Sequence, residues 1–143
     1  KQVINNAKAF ALALKDCGMD IAGDAAVSYT ETHQVIINVG YTKGPDVAQR
    51  LEENNIVLNY QAAPEEEGFT AAGSLRTGVQ EMTRFGMTEP DFQELAQLLA
   101  DVVLNDKNVK AEVSALRSRF VDMQYCFSDD QFDDLMQKLH KSI

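Results

Sequence analysis

The stretch TEPDFQELAQLLADVVL (88–104) constrains the fold more than any other part of the chain. Phe92, Leu95, Ala96, Leu99 and Val102 or Val103 recur at helical spacing, which predicts an amphipathic helix with a buried stripe. Thr88 stands where an N-cap is needed and Asp91 follows three residues later. The acids of the first turn suit the positive end of the helix dipole. A different pattern occupies HQVIINV (33–39), where β-branched residues predict a strand buried over most of its length. Helices must therefore pack on a sheet.

The other segments fit that frame. Val3, Ile4, Ala7, Phe10, Ala11 and Leu14 predict an opening helix that Gly18 caps, with a short strand around 19–22. Gly44 and Pro45 open a short helix that packs through Val47, Leu51 and the stem of Arg50, and Asn54 and Asn55 suit its end. IVLNY (56–60) and SLRTGV (74–79) read as strands, separated by the exposed loop QAAPEEEG with Pro64 and Gly68. A helix over roughly 109–124 uses Val113, Leu116, Phe120 and Met123. A last one, about 128–141, opens on the Ser-x-x-Gln box SDDQ and packs through Phe132, Leu135, Met136 and Leu139. With no repeat, low-complexity tract or linker, residues 1–143 read as one α+β domain, a small sheet with helices covering one side.

Charge narrows the function. The chain has 13 basic and 22 acidic residues and a formal net charge of −9. Broad contact with nucleic acid or an anionic membrane is disfavoured, because both need clustered Lys and Arg. No apolar run reaches membrane-spanning length and no signal peptide opens the chain. The first residue is Lys1 and a helical pattern starts at once, as expected of a piece of a longer polypeptide. Cys17 and Cys126 have no metal-type partners at short spacing, and read as buried thiols in a reducing, cytoplasmic compartment.

Few residues could carry chemistry. In an extended segment 74–79, Leu75, Thr77 and Val79 face one way and Ser74, Arg76 and Gly78 the other. The second set puts a guanidinium between a hydroxyl and a residue without a side chain. Its planar fork matches a carboxylate with two parallel hydrogen bonds. Arg76 is thus either a clamp for a small anion or a surface cation paired with one of the chain's own acids. Arg84, in MTRFGM, reads as a residue that fixes a turn. His33 reads as a hydrogen-bonded residue at the start of a strand, and His140 as complementing a helix C-terminus. The acids of PEEEG and SDDQFDD lack the alternating ligands and glycine of a calcium loop. Phosphate-binding glycine loops, G-x-S-x-G elbows and Cys–His or Ser–His–Asp sets are absent from the pattern.

Several strings together resemble a known family. The run LNYQAAPEEEGFTAAGSLRTGVQEMTRFGMTEPDF is similar to the N-x-N-x-x-P, loop, S-G-[IL]-R-x-G, threonine-arginine-glycine and acidic-helix series of serine (glycine) hydroxymethyltransferase. GVQEMTRFGM resembles the archaeal-like branch of that family. THQVIINV, QVINNAKAFALAL and KAEVSALRSRF resemble its histidine-started strand, the first helix of its small domain and a helix near its end. The likeness covers about residues 2 to 120. It implies the small, C-terminal domain of a pyridoxal-phosphate enzyme of the aspartate-aminotransferase fold (fold type I). That domain is a mainly antiparallel sheet covered on one side by helices. Residues 1–125 would be its core and 126–143 an extra C-terminal helix.

The resemblance implies that Arg76 binds the α-carboxylate of serine or glycine, in a cleft shared with a larger N-terminal domain. Asn59 and Gln61 fall in the one-carbon-acceptor region. The family's Ser-Gly is here Gly73-Ser74, its second asparagine is Gln61, and Ala62 stands where serine is frequent. These departures leave tetrahydrofolate, a modified pterin, or a relative acting on another β-hydroxy amino acid as alternatives. The cofactor-bearing lysine, its aspartate partner and the phosphate loop belong to the large domain. The chain alone is expected to be inactive, and the full-length enzyme a homodimer, with no nucleic acid or membrane partner. A reading from another class is a non-catalytic α+β module for small-ligand sensing or assembly.

Overall fold

The computed structural model describes residues 1–63, 71–124 and 129–142. In chain order they form α1 (Gln2–Asp16), β1 (Asp20–Ile21), a 3₁₀ turn (Ala25–Val27), β2 (Gln34–Asn38), α2 (Gly44–Glu53) and β3 (Asn59–Gln61). There follow β4 (Ser74–Gly78), α3 (Gln80–Arg84), α4 (Glu89–Asn105), α5 (Lys110–Ser118) and α6 (Asp129–Ser142). The strands lie in the order β1-β2-β4-β3, every neighbouring pair antiparallel. This is the α+β fold expected, with β4 held between β2 and β3.

Side-chain alternation decides which face is covered. Ile21, Val35, Ile37 and Leu75 are buried toward the helices, while Gln34, Ile36 and Asn38 are only half-buried. β2 therefore alternates rather than being buried over most of its length, as its composition suggested. Helices cover one face of the sheet, so only every second residue is removed from water. α1 and α2 lie against that face, and α4 packs along α1, where the rings of Phe10 and Phe92 meet tilted at 5.7 Å between centroids. Each fully buried side chain of this size contributes roughly 1.5–3 kcal/mol of transfer free energy.

Caps end the helices where the residue types allow. After α1, Gly18 adopts φ +92°, its N–H reaches Lys15 O at 2.9 Å and Met19 N–H reaches Leu14 O at 3.0 Å. After α2, Asn55 at φ +64° repeats the pattern, donating to Glu52 O, with Ile56 donating to Leu51 O, both at 2.9 Å. These are Schellman closures that satisfy the orphan carbonyls. α4 opens on the expected capping box of Thr88 and Asp91.

One buried polar side chain ties the layers together. Asn6, fully buried on α1, donates to Thr83 Oγ1 and to Met87 O, both at 2.8 Å, and accepts from Gln2 Nε2 at 2.9 Å. Thr83 Oγ1 in turn donates to Val79 O at 2.7 Å. The segment that follows β4 is thereby fastened to α1.

Several bounds differ from expectation. The third strand begins at Asn59 rather than residue 56, and β4 stops at Gly78. The helix expected to run to 124 stops at Ser118, leaving Phe120 half-buried and Met123 exposed. On α6, Phe132, Leu135 and Leu139 are exposed and Met136 is half-buried, so that stripe does not pack as expected. Among the described residues, no element lies along that helix to cover it. Cys17 is half-buried, its thiol donating to Gln97 Oε1 at 3.4 Å. Cys126, the Ser128 cap and Pro64 to Gly68 of the acidic loop lie outside the described residues. Among the described residues no helix is long and apolar enough to cross a membrane.

Candidate functional site

β4 does what its alternation demands. Leu75 and Val79 are buried and Thr77 is half-buried toward the core, so Ser74, Arg76 and Gly78 point to the opposite face. Ser74 is nevertheless fully buried. Its hydroxyl donates to Asn38 Oδ1 at 2.8 Å, and Asn38 Nδ2 donates to Asp20 Oδ2 at 3.1 Å. A polar chain thus crosses β4, β2 and β1 on the face that carries Arg76.

Register places the other candidates. Arg76 is paired with Ile36 on one side and with Asn59 on the other, while Gln61 and Asn38 flank Ser74. Directly paired residues share a sheet face, so Arg76, Asn59 and Gln61 lie together on the face opposite the helices. That face opens into a hollow of about 370 Å³ bordered by His33, Val57, Asn59, Arg76, Gln80 and Glu81 among others.

The state of the guanidinium bears on both readings of Arg76. Arg50 is held by Asp106 at 2.8 Å and Arg119 by Glu94 at 2.6 Å. Arg76 is exposed, and among the described residues no carboxylate pairs with it. Its charge faces an open concavity, an arrangement able to take a carboxylate from solution through two parallel hydrogen bonds.

The remaining candidates take structural places. Arg84 ends α3, and its carbonyl accepts from Gln124 N–H at 2.8 Å. His33 sits just before β2, its carbonyl accepting from Val79 N–H at 3.1 Å, and it also borders the hollow. His140 is exposed in the last turn of α6. Burial, then the charges of Asp16 and Asp101, push the Cys17 thiol above its ordinary range, away from the reactive thiolate. Among the described residues no three His, Cys, Asp or Glu could hold a metal ion. Gln80 and Glu81 were not legible as site residues, because only the turn from β4 into α3 brings them to the hollow.

Comparison with known proteins follows the same line. The family model described as serine hydroxymethyltransferase matches residues 1–99. The serine hydroxymethyltransferase of Pyrobaculum arsenaticum is 36% identical over 146 aligned residues, which cover 100% of this chain and 33% of the relative. That of Saccharolobus islandicus is 36% identical over 148, covering 99% and 34%. Among solved structures, the L-threonine transaldolase of Pseudomonas fluorescens superposes with a TM-score of 0.77 at 28% identity, over 95% of this chain and 32% of that one. The chain thus spans about a third of the length of these relatives. On the match of its first 99 residues, the chain belongs to the serine hydroxymethyltransferase family.

Proposed function

We propose that this chain is the substrate-carboxylate-binding, C-terminal domain of a pyridoxal-phosphate-dependent hydroxymethyltransferase that interconverts serine and glycine. The observation that carries the reading is Arg76, exposed on the wall of the hollow with no described acid to neutralise it. Its role is to fix the α-carboxylate and hence the orientation of the bonds at Cα. Serine and glycine share the carboxylate, so one clamp serves both directions of the reaction.

The lining of the hollow does not fit the cofactor by itself. Among the described residues no lysine amine borders it, and the one cation of fixed charge that does is Arg76. The cofactor would be held by a large N-terminal domain, in keeping with relatives three times as long as the match, and would supply the electron sink for carbanion chemistry. We place that domain, in a cytoplasmic homodimer, as the partner of this one. The 143 residues alone would neither retain pyridoxal phosphate nor turn over. Asn59 and Gln61 would face the one-carbon acceptor, tetrahydrofolate or a modified pterin. Residues 1–125 would form the working core and 126–143 an appended helix.

A second reading, a relative acting on a different β-hydroxy amino acid, is favoured by the likeness to the threonine transaldolase and by Gln61 and Ala62. Kinetics on the complete enzyme test both. Arg76→Ala should lower kcat/KM by roughly 2–4 kcal/mol of transition-state stabilisation, for serine and threonine alike. Unchanged kinetics would remove the clamp, and a kcat/KM for threonine above that for serine would select the second reading.

A further inference from the structure

We infer that Glu81 is the second half of an amino-acid recognition site, taking the ammonium of the zwitterion whose carboxylate Arg76 holds. The inference rests on the carboxylate reading of Arg76 and extends it to the specificity of the same hollow. Arg76 and Glu81 border one concavity of about 370 Å³ from opposite sides of the turn that leads from β4 into α3. No salt bridge joins them, although they carry opposite charge, and neither has another described ionic partner. Arg50 and Arg119, by contrast, close ion pairs with Asp106 and Glu94.

Two opposite charges that border one hollow without pairing to each other suit a ligand with both charges on one carbon. An α-amino acid satisfies the guanidinium through its carboxylate and the glutamate through its ammonium. A simple carboxylate satisfies only the first and meets the field of the second. Glu81 therefore selects the amino acid against anions that Arg76 alone would accept. It acts at the first encounter, before the amine engages any group of the large domain.

The test is an amide chemical-shift titration of the isotope-labelled 143-residue chain with glycine, and separately with acetate. Glycine should shift the resonances of Asn59 and residues 76–81 and bind more tightly than acetate. Glu81→Gln should weaken glycine about tenfold, the scale of one charge-assisted hydrogen bond, and leave acetate no weaker. Arg76→Ala should abolish both. Acetate binding as tightly as glycine, an unchanged glycine affinity in Glu81→Gln, or no glycine-dependent shift at all would each overturn the role of Glu81. If acetate still binds and Arg76→Ala abolishes it, the carboxylate clamp survives that failure. If Arg76→Ala changes neither ligand, the clamp falls as well.

Discussion

Asn59 and Arg76 are direct partners across β3 and β4, on the sheet face opposite the helices. An uncharged amide beside the guanidinium leaves its positive charge available to a ligand. Asn59→Asp would set a carboxylate against Arg76 in nearly the same volume. An opposite-charge pair across two strands is worth about 0.2–1 kcal/mol, so stability should hold or rise slightly. Substrate binding should suffer, because the introduced acid competes for the same fork. In the complete enzyme the KM for serine should rise while the thermal midpoint does not fall. A KM equal to that of the parent would show that Arg76 is not the ligand's partner.

The Asn6 network makes a separate claim about what holds the site in place. Asn6→Ala removes the donor to Thr83 Oγ1 and Met87 O inside the protein. Leaving a buried acceptor unsatisfied costs about 1–3 kcal/mol. The urea midpoint should fall by the corresponding amount with an unchanged m-value, since the surface exposed on unfolding is nearly the same. Loss of stability below a few tenths of a kcal/mol would mean that water replaces the amide there.

These two residues also mark how far the sequence could be read. The outward position of Arg76 was legible because alternation in SLRTGV put it opposite Leu75 and Val79, and the family resemblance suggested a carboxylate for it to bind. The stripe and capping box of α4 were legible for a local reason, since 3.6-residue spacing and an N-cap need no knowledge of the fold. Asn6 and Glu81 were hidden, because an asparagine in a helix and a glutamate after a strand look solvated until the fold brings Thr83 to Asn6 and sets Glu81 on the same hollow as Arg76. The stripe of α6 misled in the other direction. Its apolar spacing signals a face that could pack, but spacing carries no information about whether anything lies against it.

Gly44 tests how tightly the segment leading into β4 is docked. Its N–H donates to Ala72 O at 2.8 Å, and a Cβ built on it would stand 2.3 Å from that oxygen and 3.0 Å from Tyr60 Cβ. The obstacle is backbone, so it cannot swing away as a side-chain tip could. Gly44→Ala should cost about 1–3 kcal/mol through displacement of α2 or of residues 71–73. Equal stability by urea denaturation would show that the two segments separate freely.

Acid sensitivity should centre in part on Asp101. The hydrogen bond from Lys107 Nζ at 3.0 Å, then that from Asn105 Nδ2 at 3.0 Å, hold its carboxyl below the usual range. A folded-state pKa below the unfolded one stabilises the protein above the unfolded value. That contribution is lost as pH falls through the folded one. Asp101→Asn should therefore lower the urea midpoint at neutral pH and narrow the difference between neutral and strongly acidic solution. An unchanged pH dependence would assign the acid response to other groups, Glu89 among them, whose carboxyl is also held low by hydrogen bonds.

Truncation after Gln124 tests whether the body stands without α6. A helix of 14 residues with Phe132, Leu135 and Leu139 exposed gains little from tertiary packing, and helices of that length are marginal on their own. By contrast, Leu116 on α5 is 4% exposed and belongs to the main core, so Leu116→Ala should cost about 2–5 kcal/mol. The shortened chain should keep the thermal midpoint of the parent, lose far-ultraviolet helical signal in proportion to the residues removed, and still respond to Leu116→Ala. A fall in midpoint on truncation comparable to that of Leu116→Ala would show that α6 covers part of the core in solution and that the domain extends to its C-terminus.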